Sequence, residues 1–194
     1  TKLPVTVKTR LGWNEKTKYI VEVAERLQDV GIQAISIHGR TRKQMYKGDA
    51  DWELIGRVKN NPRMYIPVFG NGDISCPKTA KEKKDKYNVD GIMIGRGAIG
   101  NPWIFKKIKN YLQHGIITNN PTILEKTKMV IEHLKLSIKW KGEKLGVLEM
   151  RRHYANYFRG LPEIKKYRSK LVQINKYQAV LRLINEIQEK YKDY

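Results

Sequence analysis

Hydrophobic and polar positions alternate in two rhythms along this chain. Over residues 3–10, LPVTVKTR, Val5 and Val7 alternate with Thr6 and Lys8, the two-residue period of a strand. After the turn Gly12-Trp13-Asn14 the period lengthens. Tyr19/Ile20, Val23/Ala24, Leu27 and Val30 recur at helical spacing over 17–30, and Gly31 is a C-terminal stop. A second strand is predicted over 34–40, AISIHGR, and a helix over 51–59 with Trp52, Ile55 and Val58 inward. A third strand over 65–69 runs into Gly70-Asn71-Gly72-Asp73. A charged helix over 79–87 precedes a fourth strand over 89–94, and Asn101-Pro102 marks a further helix start.

Strand followed by helix, repeated at this spacing, predicts an α/β fold with a parallel sheet. Ligand sites of such folds lie at the C-terminal ends of the strands. Lys8, His38, Asn71 and Arg96 are all expected there. From Pro121 the texture becomes purely helical. One stripe runs through Ile123, Thr127, Val130/Ile131, Leu134 and Ile138, another through Ile174, Tyr177, Val180/Leu181, Ile184, Ile187 and Tyr191. Residues 111–120 read as the linker, and the basic segment 143–168, interrupted by Gly160-Leu161-Pro162, lies between the stripes.

Charge narrows the partners. The 194 residues carry 39 Lys+Arg against 19 Asp+Glu, a net charge of +20 spread along the chain. An excess of this size draws polyanions, nucleic acid first, although a solvated lysine-rich surface has the same composition. No run of about eighteen apolar residues and no charged-then-apolar leader occurs, so neither a membrane span nor a signal peptide is expected. Cys76 is the single cysteine and cannot form an internal disulfide, which fits a cytoplasmic location. No Cys/His cluster suggests a metal.

The sharpest local signal is GIMIGRGAIGNPWIF, residues 91–105. An apolar strand, a Gly95-Arg96-Gly97 turn and a helix start build an anion pocket, because backbone N–H groups there point outward and glycines admit a phosphate. Arg96 adds a forked cation. Each candidate has a structural alternative. Lys8 could be a solvated strand end, His38 a satisfied core histidine, and Asn71 with Asp73 an Asn-Gly-Asp turn. Arg151 and Arg152 could be a solvated helix face, while Tyr154 and Tyr157, three apart, read as core.

Five segments in order, VKTRLGW (7–13), IHGRTRKQMYKGDADW (37–52), GNGDI (70–74), MIGRGAIGNPWIF (93–105) and MRRHYANYFRGLP (150–162), closely resemble the bacterial tRNA-dihydrouridine synthases, the B-type in particular. That resemblance implies an FMN-dependent (β/α)8 TIM barrel followed by an all-α domain, reducing the uridine C5=C6 bond in tRNA with NADPH. It implies residues 1–115 as the last four βα units of the barrel and 116–194 as a helical tRNA-binding domain. Lys8 and His38 would lie beside the flavin; Asn71, Gly72, Asp73, Gly95 and Arg96 would hold its phosphate. Arg40, Arg151, Arg152, Arg159, Lys165 and Lys166 would contact RNA. The family's catalytic cysteine belongs to the barrel's first half, which these motifs do not include, so no catalytic residue is expected here and the 194 residues alone are expected to be inactive. A half-barrel is expected to self-associate through its open edges. Two other readings stay open: an FMN oxidoreductase acting on a small molecule, and a non-catalytic RNA-binding fragment.

Overall fold

The computed structural model describes residues 2–194. They form two compact units: residues up to Ala98 together with Ile104–Ile117, and Ile99–Trp103 together with Thr118–Tyr194. The first is α/β. Strands β1 (Thr6–Arg10), β2 (Ala34–His38), β3 (Val68–Asn71) and β4 (Gly91–Met93) form one sheet in sequential order, every pair parallel. Helices α1 (Ile20–Asp29), α2 (Glu53–Lys59) and α3 (Pro77–Tyr87) are the crossovers, and α4 (Ile104–His114) follows β4.

Parallel register gives the sheet two unlike faces, because successive side chains alternate. Ile35, Ile37 and Val68 are fully buried in a core with Ile20 and Ala24 of α1 and Ile55 and Val58 of α2. The opposite face carries two rows: Lys8, Ser36, Phe69 and Gly91, then Arg10, His38, Asn71 and Met93. A sheet buried on both faces would be apolar on both; this one presents a polar row at the C-terminal ends of its strands.

Several expected boundaries move, each for a local reason. The buried stripe of α1 is Ile20, Ala24 and Gln28; Tyr19, Val23 and Val30, expected inward, are exposed. Gln28 also explains why β3 begins at Val68 rather than Tyr65. Its side chain accepts from the N–H groups of Tyr65 (2.9 Å) and Ile66 (3.2 Å) and donates to the Arg63 carbonyl (2.8 Å), taking that segment out of the ladder. Pairing then extends through Gly70 and Asn71. Gly70 is required by its neighbour: a Cβ there would sit 2.1 Å from the Trp52 ring, which is buried and whose Nε1–H donates to the Gly72 carbonyl at 3.1 Å. Trp52, Ile55 and Val58 all point inward, as their spacing predicts. Helix α3 starts with Cys76 as cap residue and Pro77 in its first turn, and ends at left-handed Asn88. The helix expected at Asn101-Pro102 begins at Ile104, and α4 runs on to His114, so Tyr111 is helical rather than linker.

The second unit is all-helical: α5 (Ile123–Tyr157), α6 (Lys165–Leu171) and α7 (Tyr177–Lys190). A capping box starts α5, with Thr122 Oγ1 accepting from Glu125 N–H and the Glu125 carboxylate accepting from Thr122 N–H. At Gly142, φ 76° and ψ 164° break α5 into two halves that fold back on each other, since a Cβ on Gly146 would meet Ile138 at 2.7 Å. Both predicted stripes are inward: Val130, Leu134, Val180, Ile184 and Ile187 are fully buried together with Met150, Tyr154 and Phe158.

Candidate functional site

The C-terminal ends of the strands carry a dense polar network centred on one ion pair. Arg40, two residues beyond β2, is 2% exposed. Its guanidinium meets the Asp73 carboxylate in a fork, Nη1 to Oδ1 at 2.9 Å and Nη2 to Oδ2 at 2.7 Å. Nε donates to the Lys47 carbonyl at 3.4 Å, Nη2 also to the Gly48 carbonyl, and Nη1 contacts His38 Nε2 at 3.4 Å. Asp73 in turn accepts from the Ala50 N–H at 2.8 Å and from Arg96 Nη2 at 3.1 Å. A buried cation is tolerable only when paired and saturated with acceptors; Arg40 has one acceptor for each of its five donors.

Local backbone makes this possible. Gly72 has φ 135° and Asp73 lies in the left-handed region at φ 54°, where Asp is among the residues that tolerate it. A Cβ on Gly72 would fall 2.5 Å from Ala50 Cβ, so glycine lets the β3–α3 turn approach the loop before α2. Burial alone would raise the Asp73 carboxyl pKa. The hydrogen bonds from Arg40 and Ala50 and the charges of Arg40 and Arg96 outweigh that, and the net pKa is lowered. For His38 burial and charge act together. Burial first, then the charges of Arg10, Lys8 and Arg40, against the opposing carboxylate of Asp73, lower the imidazole to about 4.

The expected residues divide by position. His38 and Asn71 end β2 and β3 side by side, paired in register, and Asn71 Nδ2 donates to the Met93 carbonyl at 2.8 Å. Lys8 lies in the middle of β1, on the His38 face and exposed, rather than at the strand's end. The residue that does end β1 is Arg10, opposite His38. Arg96 opens a short 3-10 turn, Arg96–Ala98, after β4, so the corner is not directly the N-terminus of α4. A Cβ on Gly95 would meet nothing within 4 Å, leaving that corner open. Asp73, expected as a phosphate ligand, is an acceptor-only carboxylate already engaged by four donors; its contacts orient Arg40 and Arg96. Arg40, expected on RNA, is buried beneath the loops.

Two participants were missed. Arg10 donates to the carbonyls of Thr41 (2.9 Å) and Met45 (3.0 Å), and both Arg10 and Arg96 lie over the Tyr46 ring, their guanidinium carbons 5.8 and 4.4 Å from its centre. Period-two spacing from Lys8 could have flagged Arg10; nothing local marks Tyr46.

In the helical unit Arg152, Arg159, Lys165 and Lys166 are exposed. Arg151 is half-buried and spent on structure, its Nη2 donating to Asn175 Oδ1 at 2.6 Å. Tyr154 and Tyr157 are buried, as their spacing predicts. Cys76 is half-buried, its sulfur 3.2 Å from Thr79 Oγ1; that hydrogen bond and the backbone N–H groups opening α3 lower the thiol pKa. Among the described residues, no group of three or more His, Cys, Asp or Glu could hold a metal, and no helix is long and apolar enough to cross a membrane.

At the C-terminal ends of a parallel α/β sheet this chain gathers cations, an amide and a buried ion pair. The particular family follows from comparison: the chain belongs to the dihydrouridine synthases, whose family model matches residues 1–193. It is 42% identical over 185 residues to a probable tRNA-dihydrouridine synthase of Rickettsia conorii, covering 95% of this chain and 55% of that protein. A probable tRNA-dihydrouridine synthase 1 of Synechocystis is 39% identical, over 95% of this chain and 51% of the relative. The tRNA-dihydrouridine synthase B of Pseudomonas putida is 38% identical, over 91% and 52%. The chain thus spans about half the length of the curated relatives it matches.

Proposed function

We propose that the protein carrying this chain is an FMN-dependent tRNA-dihydrouridine synthase that reduces the C5=C6 bond of a tRNA uridine with electrons from NADPH. Family membership over residues 1–193 is the observation that carries this reading. The α/β unit is then half of a (β/α)8 barrel, whose remaining strands pair with β1 and β4 and cover the polar sheet face. The helical unit supplies part of the RNA surface. Left without those strands, the unit would self-associate along its two edges.

The residues present fit a flavin phosphate. Gly95 leaves the corner open, and Arg96 is half-exposed with one nitrogen on Asp73. The Asp73 carboxylate beside the corner is already paired with Arg40, so its repulsion toward a phosphate is offset. Arg96 and the Gly95 backbone would hold the phosphate; Lys8, Arg10 and His38 lie on one face to meet the ring system and the substrate. When bound, FMN supplies the two-electron chemistry on the uracil ring. The protein's part is positional and electrostatic: Lys8 and Arg10 place positive charge on that face, and His38 stays neutral at working pH. Cys76, at the start of α3, is not assigned the proton-donor role; that group comes from another part of the parent protein.

Arg152, Arg159, Lys165 and Lys166 are offered to solvent as phosphate contacts, which position an RNA without reading its sequence. The uridine must leave its stack to be reduced, at a cost of a few kcal/mol.

The test is purification of the full-length protein. It should be yellow, release FMN on denaturation and form dihydrouridine in unmodified tRNA when given NADPH, and Arg96→Ala should lose the flavin. A colourless protein that takes up no FMN would overturn the flavin reading. A yellow protein without salt-sensitive affinity for tRNA would favour a small-molecule oxidoreductase.

A further inference from the structure

As a hydrogen bond, the contact between Arg40 Nη1 and His38 Nε2, 3.4 Å, can run in one direction only. A guanidinium has five N–H donors, no acceptor, and stays protonated in proteins. The imidazole nitrogen facing it must therefore accept, which means that Nε2 carries no hydrogen. Every other donor of Arg40 is spoken for: by Asp73 twice, by the Lys47 carbonyl and by the Gly48 carbonyl. The fork is thus locked in one orientation from two flanking loops. The His38 ring is confined as well, since a Cβ on Gly72 would come within 3.3 Å of its Cδ2 and 3.7 Å of its Nε2, and the Tyr46 ring lies 6.5 Å away.

We propose that Arg40 is a positioning residue that holds His38 as the neutral tautomer with its hydrogen on Nδ1, so that the ring's free polar atom is a donor. His38 then recognises an acceptor, a carbonyl oxygen or an unprotonated ring nitrogen, and does not shuttle protons at neutral pH. A ring protonated on both nitrogens would aim N–H at N–H amid the charges of Lys8 and Arg10, against the Asp73 carboxylate, which is already paired with Arg40. The proposal concerns the resting protein and stands or falls independently of the flavin reading.

The tautomer is directly measurable. Full-length protein labelled with 15N-histidine gives long-range 1H–15N correlations for each imidazole, and the His38→Gln variant identifies the spin system of His38 by its disappearance. At pH 7 the expected result is an unprotonated, pyridine-type signal for Nε2 and a protonated, pyrrole-type signal for Nδ1. That pattern should persist on acidification until the pH nears 4. Arg40→Lys keeps the positive charge but loses the fork; in it both signals should move toward the tautomer average. A wild-type Nε2 bearing hydrogen, a ring protonated at pH 7, or an Arg40→Lys spectrum identical to wild type would each overturn the proposal. Should Arg40→Lys fail to fold, the wild-type spectrum alone decides the tautomer.

Discussion

Replacing Asp73 by Asn tests the network with little change of shape. Asn tolerates the left-handed backbone at φ 54° as well as Asp does, so strain does not confound the result. The geometry leaves the amide no good orientation. Oδ1 faces Arg40 Nη1 and Arg96 Nη2; Oδ2 faces Arg40 Nη2 and the Ala50 N–H. Either flip aims an NH2 group at two donors, removing two hydrogen bonds and half-stranding a buried cation. Charge-assisted hydrogen bonds contribute about 1.5–3 kcal/mol each, and breaking a fully buried pair costs about 3–5 kcal/mol. The Asp73 side chain is 35% exposed, which discounts the electrostatic part, so the expected loss is about 2–4 kcal/mol. Chemical denaturation followed by tryptophan fluorescence measures it. A cycle with Arg40→Met should show coupling of about 1–3 kcal/mol, because the double variant has no stranded charge. The sign with pH is fixed. A carboxyl held below its ordinary value contributes stability above about 3.9 and loses it as pH falls through the lower folded value. The gap between wild type and Asp73→Asn should therefore be full at neutral pH and close below about 4. A variant within about 0.5 kcal/mol of wild type, or an additive cycle, would refute the reasoning.

Gly70→Ala should cost about 1–3 kcal/mol from overpacking, since a Cβ 2.1 Å from the buried Trp52 ring forces that ring off the Gly72 carbonyl; unchanged stability and near-ultraviolet circular dichroism would contradict it. Tyr154→Phe should leave stability unchanged or raise it by up to about 1 kcal/mol, because the buried hydroxyl has no partner among the described residues and its removal ends a desolvation cost; a calorimetric loss of stability would contradict this. The triple variant Arg159→Ala, Lys165→Ala, Lys166→Ala should bind tRNA more weakly, with the slope of log affinity against log salt smaller by about 0.7–0.9 for each phosphate contact removed. An unchanged slope in filter binding would move the RNA surface elsewhere.

What the sequence discloses is what local periodicity encodes. The alternation around Ile35 and Ile37 and the stripes of α2, α5 and α7 survive in the fold because burial of one face is decided within each element. The start of β3 was hidden because Gln28, about forty residues earlier, captures its approach, and because Gly70 reads as a turn until Trp52 is known to lie against it. The site was half legible. His38, Asn71 and Arg96 are marked by their place at strand ends. The burial of Arg40 depends on Asp73, 33 residues away, and no short-range pattern announces such a pair.

Arg40 draws two carbonyls from the segment between Thr41 and Gly48. Surface loops ordinarily absorb extra residues at little cost. This one cannot: any lengthening would have to return the Lys47 and Gly48 carbonyls to the same guanidinium, or leave a cation unanswered in the interior. Length drift among related chains should accordingly be rare between these residues.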